Sequence, residues 1–107
     1  MAESLKFYQE IVGLSISRRN EGGPNQIVFL GDGETKVELI YSEANKNIEI
    51  GKDIAIGFEI DSVEEKMAFL KEKGIPIHSG PFTPHPGVTF FFIQDPNGLR
   101  VQFIQGH

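Results

Sequence analysis

Three polar side chains stand in strand-like runs otherwise built from apolar residues. Glu38 lies in Lys36-Val37-Glu38-Leu39-Ile40, Gln102 in Arg100-Val101-Gln102-Phe103-Ile104, and Asp53 opens Asp53-Ile54-Ala55-Ile56. An ionised carboxylate accepts hydrogen bonds and can take up a proton, whereas an amide both donates and accepts. Two guanidinium groups, Arg19 and Arg100, are candidates to anchor an anionic group by charge-assisted hydrogen bonds, with a rim ion pair as the plainer role. His85, in Thr83-Pro84-His85-Pro86-Gly87, sits in a rigid loop and is a candidate proton-transfer group; a solvated loop residue is the alternative. His78 follows a short strand, and His107 differs from Gln102 in strand parity. Phe90, Phe91 and Phe92 are consecutive, so Phe91 points away from the other two. Phe91 is the candidate for stacking on a ligand, and the opposite pair fills the core.

The elements that must hold these groups are mostly strands. Leu5, Tyr8, Ile11 and Val12 recur at helical spacing over 3–12, and Gly13 supplies a stop. A second helix begins at a capping box, Ser62 with Glu65, carries Val63, Met67, Phe69 and Leu70, and ends at Gly74 before Pro76. Strands are expected over 14–19, 26–31, 35–41, 53–60, 75–78, 88–94 and 99–105. An Asp32-Gly33 turn and an Asp95-Pro96-Asn97-Gly98 turn join two of the hairpins, and 42–52 reads as a polar connecting loop.

The chain repeats itself. Helix, Gly13, strand and a hairpin ending at 36–40 are matched by helix, Gly74, strand and a hairpin ending at 100–104. The expected class is therefore α+β: paired βαβββ modules, module 1 over about 1–44 and module 2 over about 50–107, in one domain. The strand at 53–60 has no counterpart before the first helix, so the first strand of module 1 is expected to be missing. Parity puts Val37/Leu39/Tyr41, Leu99/Val101/Phe103 and Ile54/Ile56/Phe58/Ile60 on core-facing rows. Glu38, Gln102 and the row Asp53, Ala55, Gly57, Glu59 fall opposite. That second face either lines a cavity or meets water.

Composition narrows the function classes. The 107 residues include 15 Asp+Glu against 10 Lys+Arg, for a formal charge of −5, and no Cys. Thiolate zinc sites, iron–sulfur clusters and thiol nucleophiles are excluded together. An acidic chain with no basic cluster is not expected to bind nucleic acid, and no apolar run is long enough for a membrane partner. A cytoplasmic protein with a small-molecule ligand is the expectation.

The run from Ser4 to Leu14 (Ser-Leu-Lys-Phe-Tyr-Gln-Glu-Ile-Val-Gly-Leu), Val37-Glu38-Leu39, Asp53-Ile54-Ala55-Ile56, Gly80-Pro81-Phe82 and Asp95-Pro96-Asn97-Gly98-Leu99-Arg100-Val101-Gln102-Phe103-Ile104 together resemble the vicinal oxygen chelate superfamily. That group includes glyoxalase I (lactoylglutathione lyase), extradiol dioxygenases and the bleomycin resistance proteins. The resemblance implies a cup-shaped sheet with helices on the convex face, a homodimer, and, in the enzymes, a divalent metal held by four side chains. Glu38 matches one ligand position, Asp53 stands where the metal-dependent relatives carry histidine, and Gln102 stands where glyoxalase I has a second glutamate. The fourth position falls in the missing strand.

Two readings follow. In one, the chain is a lyase like glyoxalase I, with one weakly held divalent ion (Mg, Mn, Zn or Ni) on Glu38, Asp53 and Gln102, and Glu38 as the proton-moving carboxylate. In the other no metal is bound, and the protein holds or sequesters a small molecule in the manner of the bleomycin resistance proteins. Arg19, Phe91 and Arg100 are the candidate ligand contacts in either.

Overall fold

The apolar spacing at the N-terminus winds as one helical stretch with two pitches. α1 (Ala2–Lys6) is α-helical and continues directly into a π-helical segment, Phe7–Val12, which closes at Gly13 in the left-handed conformation, φ 92°. Leu5, Phe7, Tyr8 and Ile11 are buried along it, whereas Val12 is half-buried. This computed structural model describes residues 1–21, 25–44, 47–51 and 53–106, and the chain divides into two units, Met1–Glu49 and Ile50–His107.

The first unit carries a three-stranded antiparallel sheet of β1 (Ile16–Asn20), β2 (Asn25–Leu30) and β3 (Val37–Ser42), in that order. Alternation sorts its faces. Val28 and Leu30 are fully buried and lie opposite Leu39 and Val37, while Phe29 lies opposite Glu38 on the other face. The expected Asp32-Gly33 turn is a longer bend, because β3 starts only at Val37.

The second unit runs β4 (Ala55–Glu59), α2 (Val63–Glu72), β5 (Ser79–His85), β6 (Val88–Gln94) and β7 (Arg100–Gly106), with sheet order β4-β7-β6-β5. β4 is parallel to β7 and the other pairs are antiparallel, the arrangement a βαβββ unit requires. Ser62 Oγ accepts the Glu65 backbone N–H at 3.1 Å, the first half of the capping box, and a cap of this kind contributes about 1 kcal/mol. Gln105 Oε1 accepts the Val63 N–H at 2.6 Å, tying the start of α2 to β7. The core of this unit is Leu70 of α2 with Phe91, Ile93, Val101 and Phe103 of the sheet, all fully buried. The architecture is α+β.

Two expected strands begin elsewhere, and one lies at the end of its sheet order. Residues 75–78 are not a strand; β5 begins at Ser79 and takes in Thr83, Pro84 and His85, which had the composition of a loop. β4 starts at Ala55, so Ile54 lies ahead of it and is 60% exposed instead of joining the core row. β3 bonds within its sheet to β2 alone among the described residues, whereas its counterpart β7 has β4 and β6 on its two sides. No helix of the described residues is long and apolar enough to cross a membrane.

Lys66 lies between α2 and the sheet, with its Nζ 4.8 Å from the Phe103 ring centroid and 5.0 Å from that of Phe69. Burial holds its pKa below the ordinary lysine value of 10.5. The unfolded chain therefore binds more protons than the folded one in the window between that lowered pKa and 10.5, and stability rises with pH there. The urea midpoint of the wild type is expected to gain on that of Lys66→Met as pH is raised through this window; parallel midpoints would contradict it.

Candidate functional site

β4 and β7 set the floor of the second unit's open face. Their parallel register places Ala55 beside Arg100, Gly57 beside Gln102 and Glu59 beside Ile104. A Cβ at Gly57 would stand 2.9 Å from Gln102 Oε1, the end of a flexible side chain. The glycine lets the Gln102 side chain lie across β4. On the opposite face Phe58 and Phe103 pack ring to ring, 6.4 Å between centroids, which confirms the parity of both strands.

The antiparallel pairing of β6 and β7 extends this face. Phe92 is opposite Gln102, Phe90 opposite Ile104 and Gln94 opposite Arg100. The Arg100 guanidinium carbon lies 5.3 Å from the Phe92 ring centroid, Phe92 meets Phe90 edge-on at 5.7 Å, and Phe90 meets Phe82 of β5 at 5.5 Å. A continuous row of Phe82, Phe90, Phe92 and Arg100 results, with the amide of Gln102 alongside. Such a surface suits a flat organic anion, because the rings offer apolar area and the guanidinium a planar, permanently charged donor.

Phe91 is corrected by the same register. It is fully buried, lies opposite Phe103 on the helix side, and packs against that ring at 5.6 Å, so it cannot touch a ligand. The rings on the open face are those of Phe90 and Phe92, which the parity argument assigned to the core. Phe82, which enters the sequence reading only within Gly80-Pro81-Phe82 and not as a ligand contact, is 45% exposed.

The first unit makes a similar exchange. Arg19 is exposed and bound to Glu21, with Nη2 2.6 Å and Nε 3.1 Å from Oε1, an ordinary surface pair. Arg18 is the arginine on the face of Glu38. Its guanidinium carbon lies 4.7 Å from the centroid of Phe29, the residue opposite Glu38. The cause is a bulge: Ile16 pairs with Leu30 but Arg18 pairs with Phe29, so Ser17 is an extra residue that reverses the alternation beyond it.

Glu38 is exposed on the open face of its sheet, and Gln102 is half-buried. Asp53 is exposed in the turn that precedes β4 and does not belong to the strand row of Ala55, Gly57 and Glu59; the residue level with Gln102 is Gly57. The three positions matched to metal ligands thus offer two exposed carboxylates and one neutral amide. Imidazole and thiolate are the donors that select zinc, nickel, copper and iron, and neither is among them. Among the described residues, no group of three or more His, Asp or Glu side chains is brought together. This donor set does not fit a nitrogen-preferring metal. His85 is exposed at the end of β5, and His107 lies outside the described residues.

The two helix-and-hairpin units, each with one apolar and one more polar sheet face, define a class of paired-module α+β proteins. Residues 1–103 match the model of the Glyoxalase/Bleomycin resistance protein/Dioxygenase superfamily, and the chain belongs to that family. It is 28% identical over 114 residues to the lactoylglutathione lyase of Neisseria meningitidis serogroup A, covering 98% of this chain and 82% of the relative. Among solved structures it is similar to the trypanothione-dependent glyoxalase I of Leishmania major, with a TM-score of 0.82 at 23% identity over 98% of this chain and 78% of that one. An antibiotic binding protein from Streptomyces has a TM-score of 0.74 at 20% identity, over 99% of this chain and 86% of that one. At such identities the two structures establish the shared fold, which serves an enzyme and a binding protein alike.

Proposed function

We propose that this protein binds a small, flat, negatively charged organic molecule on the open face of its second unit, without a resident transition metal. The observation that carries the reading is Arg100 stacked on Phe92 beside Gln102, where glyoxalase I has a glutamate. The likeness in fold to an antibiotic binding protein supports it, and so does the donor chemistry at positions 38, 53 and 102. Protein purified without chelator and without added metal is expected to carry nickel, zinc, copper and iron far below one ion per chain by elemental analysis. Stoichiometric transition metal would overturn this reading.

A second reading is favoured by the curated relatives and by Glu38 lying opposite Phe29, the ring that the Arg18 guanidinium covers. In it the chain is a lactoylglutathione lyase whose Glu38 carboxylate moves the proton. Formation of lactoylglutathione on addition of a divalent ion, lost in Glu38→Gln, would establish it. A homodimer belongs to both readings, and its measurement is the mass in solution by light scattering.

A further inference from the structure

A cavity of about 300 Å³ opens at one end of the second unit's sheet, lined by Ile50, Gly51, His78, Gln94, Gly98 and Arg100. Its position explains why these residues meet. Gln94 ends β6, Arg100 begins β7, and Gly98 belongs to the turn between them. That turn is rigid: Asp95 Oδ1 accepts the N–H groups of Asn97 and Leu99 at 2.9 Å each, and the Asp95 N–H donates to the Leu99 carbonyl at 2.8 Å. His78 is fixed from the other side, its N–H donating to the Phe92 carbonyl at 2.8 Å. Its Nδ1 lies 3.3 Å from Ser79 Oγ; when Nδ1 accepts from that hydroxyl, Nε2 carries the hydrogen and is a donor.

The charge of the lining is opposite to that of the chain. The whole sequence has 15 acidic residues against 10 basic ones, yet among the described residues this cavity has a guanidinium, an imidazole and an amide in its wall and no carboxylate. Ile50, 37% exposed, adds an apolar patch. A preformed pocket with a few convergent donors and one apolar wall selects a compact acid with a hydrophobic body, and 300 Å³ is at the small end of ligand sites.

Resting on the binding reading above, we propose that this cavity is a carboxylate subsite for a small aryl or similarly compact monocarboxylic acid. The acid group meets Arg100, His78 and the Gln94 amide, and the apolar body lies against Ile50. Arg100 links it to the aromatic row, since the same guanidinium is stacked on Phe92. Phosphate shares the negative charge but makes no use of the Ile50 wall, so the carboxylate is the favoured ligand.

The test is titration calorimetry of the full chain with benzoate, in buffer stripped of divalent ions on a chelating resin. Benzamide serves as the neutral isostere and inorganic phosphate as the competing anion. Benzoate is expected to bind at least tenfold more tightly than benzamide, and Arg100→Gln to weaken benzoate roughly tenfold or more and to bring it close to benzamide. His78→Gln, which keeps a donor, should have a smaller effect. An unchanged thermal midpoint in each variant shows that the loss is local. Absence of benzoate binding both without and with a divalent ion, equal binding of benzamide, equal affinity in Arg100→Gln or stronger binding of phosphate would overturn the subsite. Benzoate binding that appeared only after a divalent ion was restored would instead overturn the metal-free reading, with the Arg100 dependence still supporting the subsite.

Discussion

Phe91→Ala is expected to cost about 3–5 kcal/mol of stability, lowering the thermal midpoint by roughly 12–20 °C, because a fully buried ring is replaced by a cavity. Small domains are stable by only about 5–15 kcal/mol, so much of the total would be lost. The reason lies in two contacts at one level of the sheet: Phe91 opposite Phe103, their rings 5.6 Å apart, and Lys66 of α2 over the Phe103 face. Phe92→Leu, one residue along and on the open face, should cost about 1 kcal/mol, since a half-buried apolar side chain is replaced by another. Thermal denaturation of the two variants separates them. Comparable losses would mean that the two faces of β6 have been exchanged.

The correction at Phe91 shows where the sequence could be read further. The turn Asp95-Pro96-Asn97-Gly98 is explicit in its chemistry, and a turn of known length fixes a register. With Gln94 opposite Arg100, Phe91 must fall opposite Phe103, which already belonged to an apolar row. The signal for Phe90 and Phe92 is therefore present and needs only the pairing to be followed three residues back from Gln94. Arg18 is different. Its placement depends on the extra residue Ser17, and nothing in Ile16-Ser17-Arg18-Arg19 marks a bulge. Asp53 and Ile54 fail for a third reason, since the alternation that begins at Ala55 extends smoothly back through them although the pairing with β7 starts only at Ala55. His78 carried no pattern at all, because it lies outside any strand and gains its neighbours from the β6–β7 turn.

A second large effect is expected at Gly80, beside the aromatic row. Gly80 has φ +99°, and a Cβ there would stand 3.1 Å from both Cα and Cβ of Phe91 and 3.2 Å from Cδ2 of Phe82. Two penalties coincide in Gly80→Ala: about 1–3 kcal/mol for an L side chain in that backbone region and about 1–3 kcal/mol for crowding a packed core. The Phe91 atoms cannot move aside, because one belongs to the backbone of β6 and the other to a buried core residue. Phe82 is half exposed and can swing away, which would break its 5.5 Å contact with Phe90 and open the end of the aromatic row. The variant should therefore lose roughly 10–20 °C in thermal midpoint. Gly74→Ala supplies the comparison, since Gly74 also has positive φ, +73°, but a Cβ there meets nothing within 4 Å. It carries the conformational penalty alone and should fall by clearly less than Gly80→Ala. Equal losses in the two would show that the close approach of β5 to Phe91 contributes nothing, and that the aromatic row is not held in place from this side.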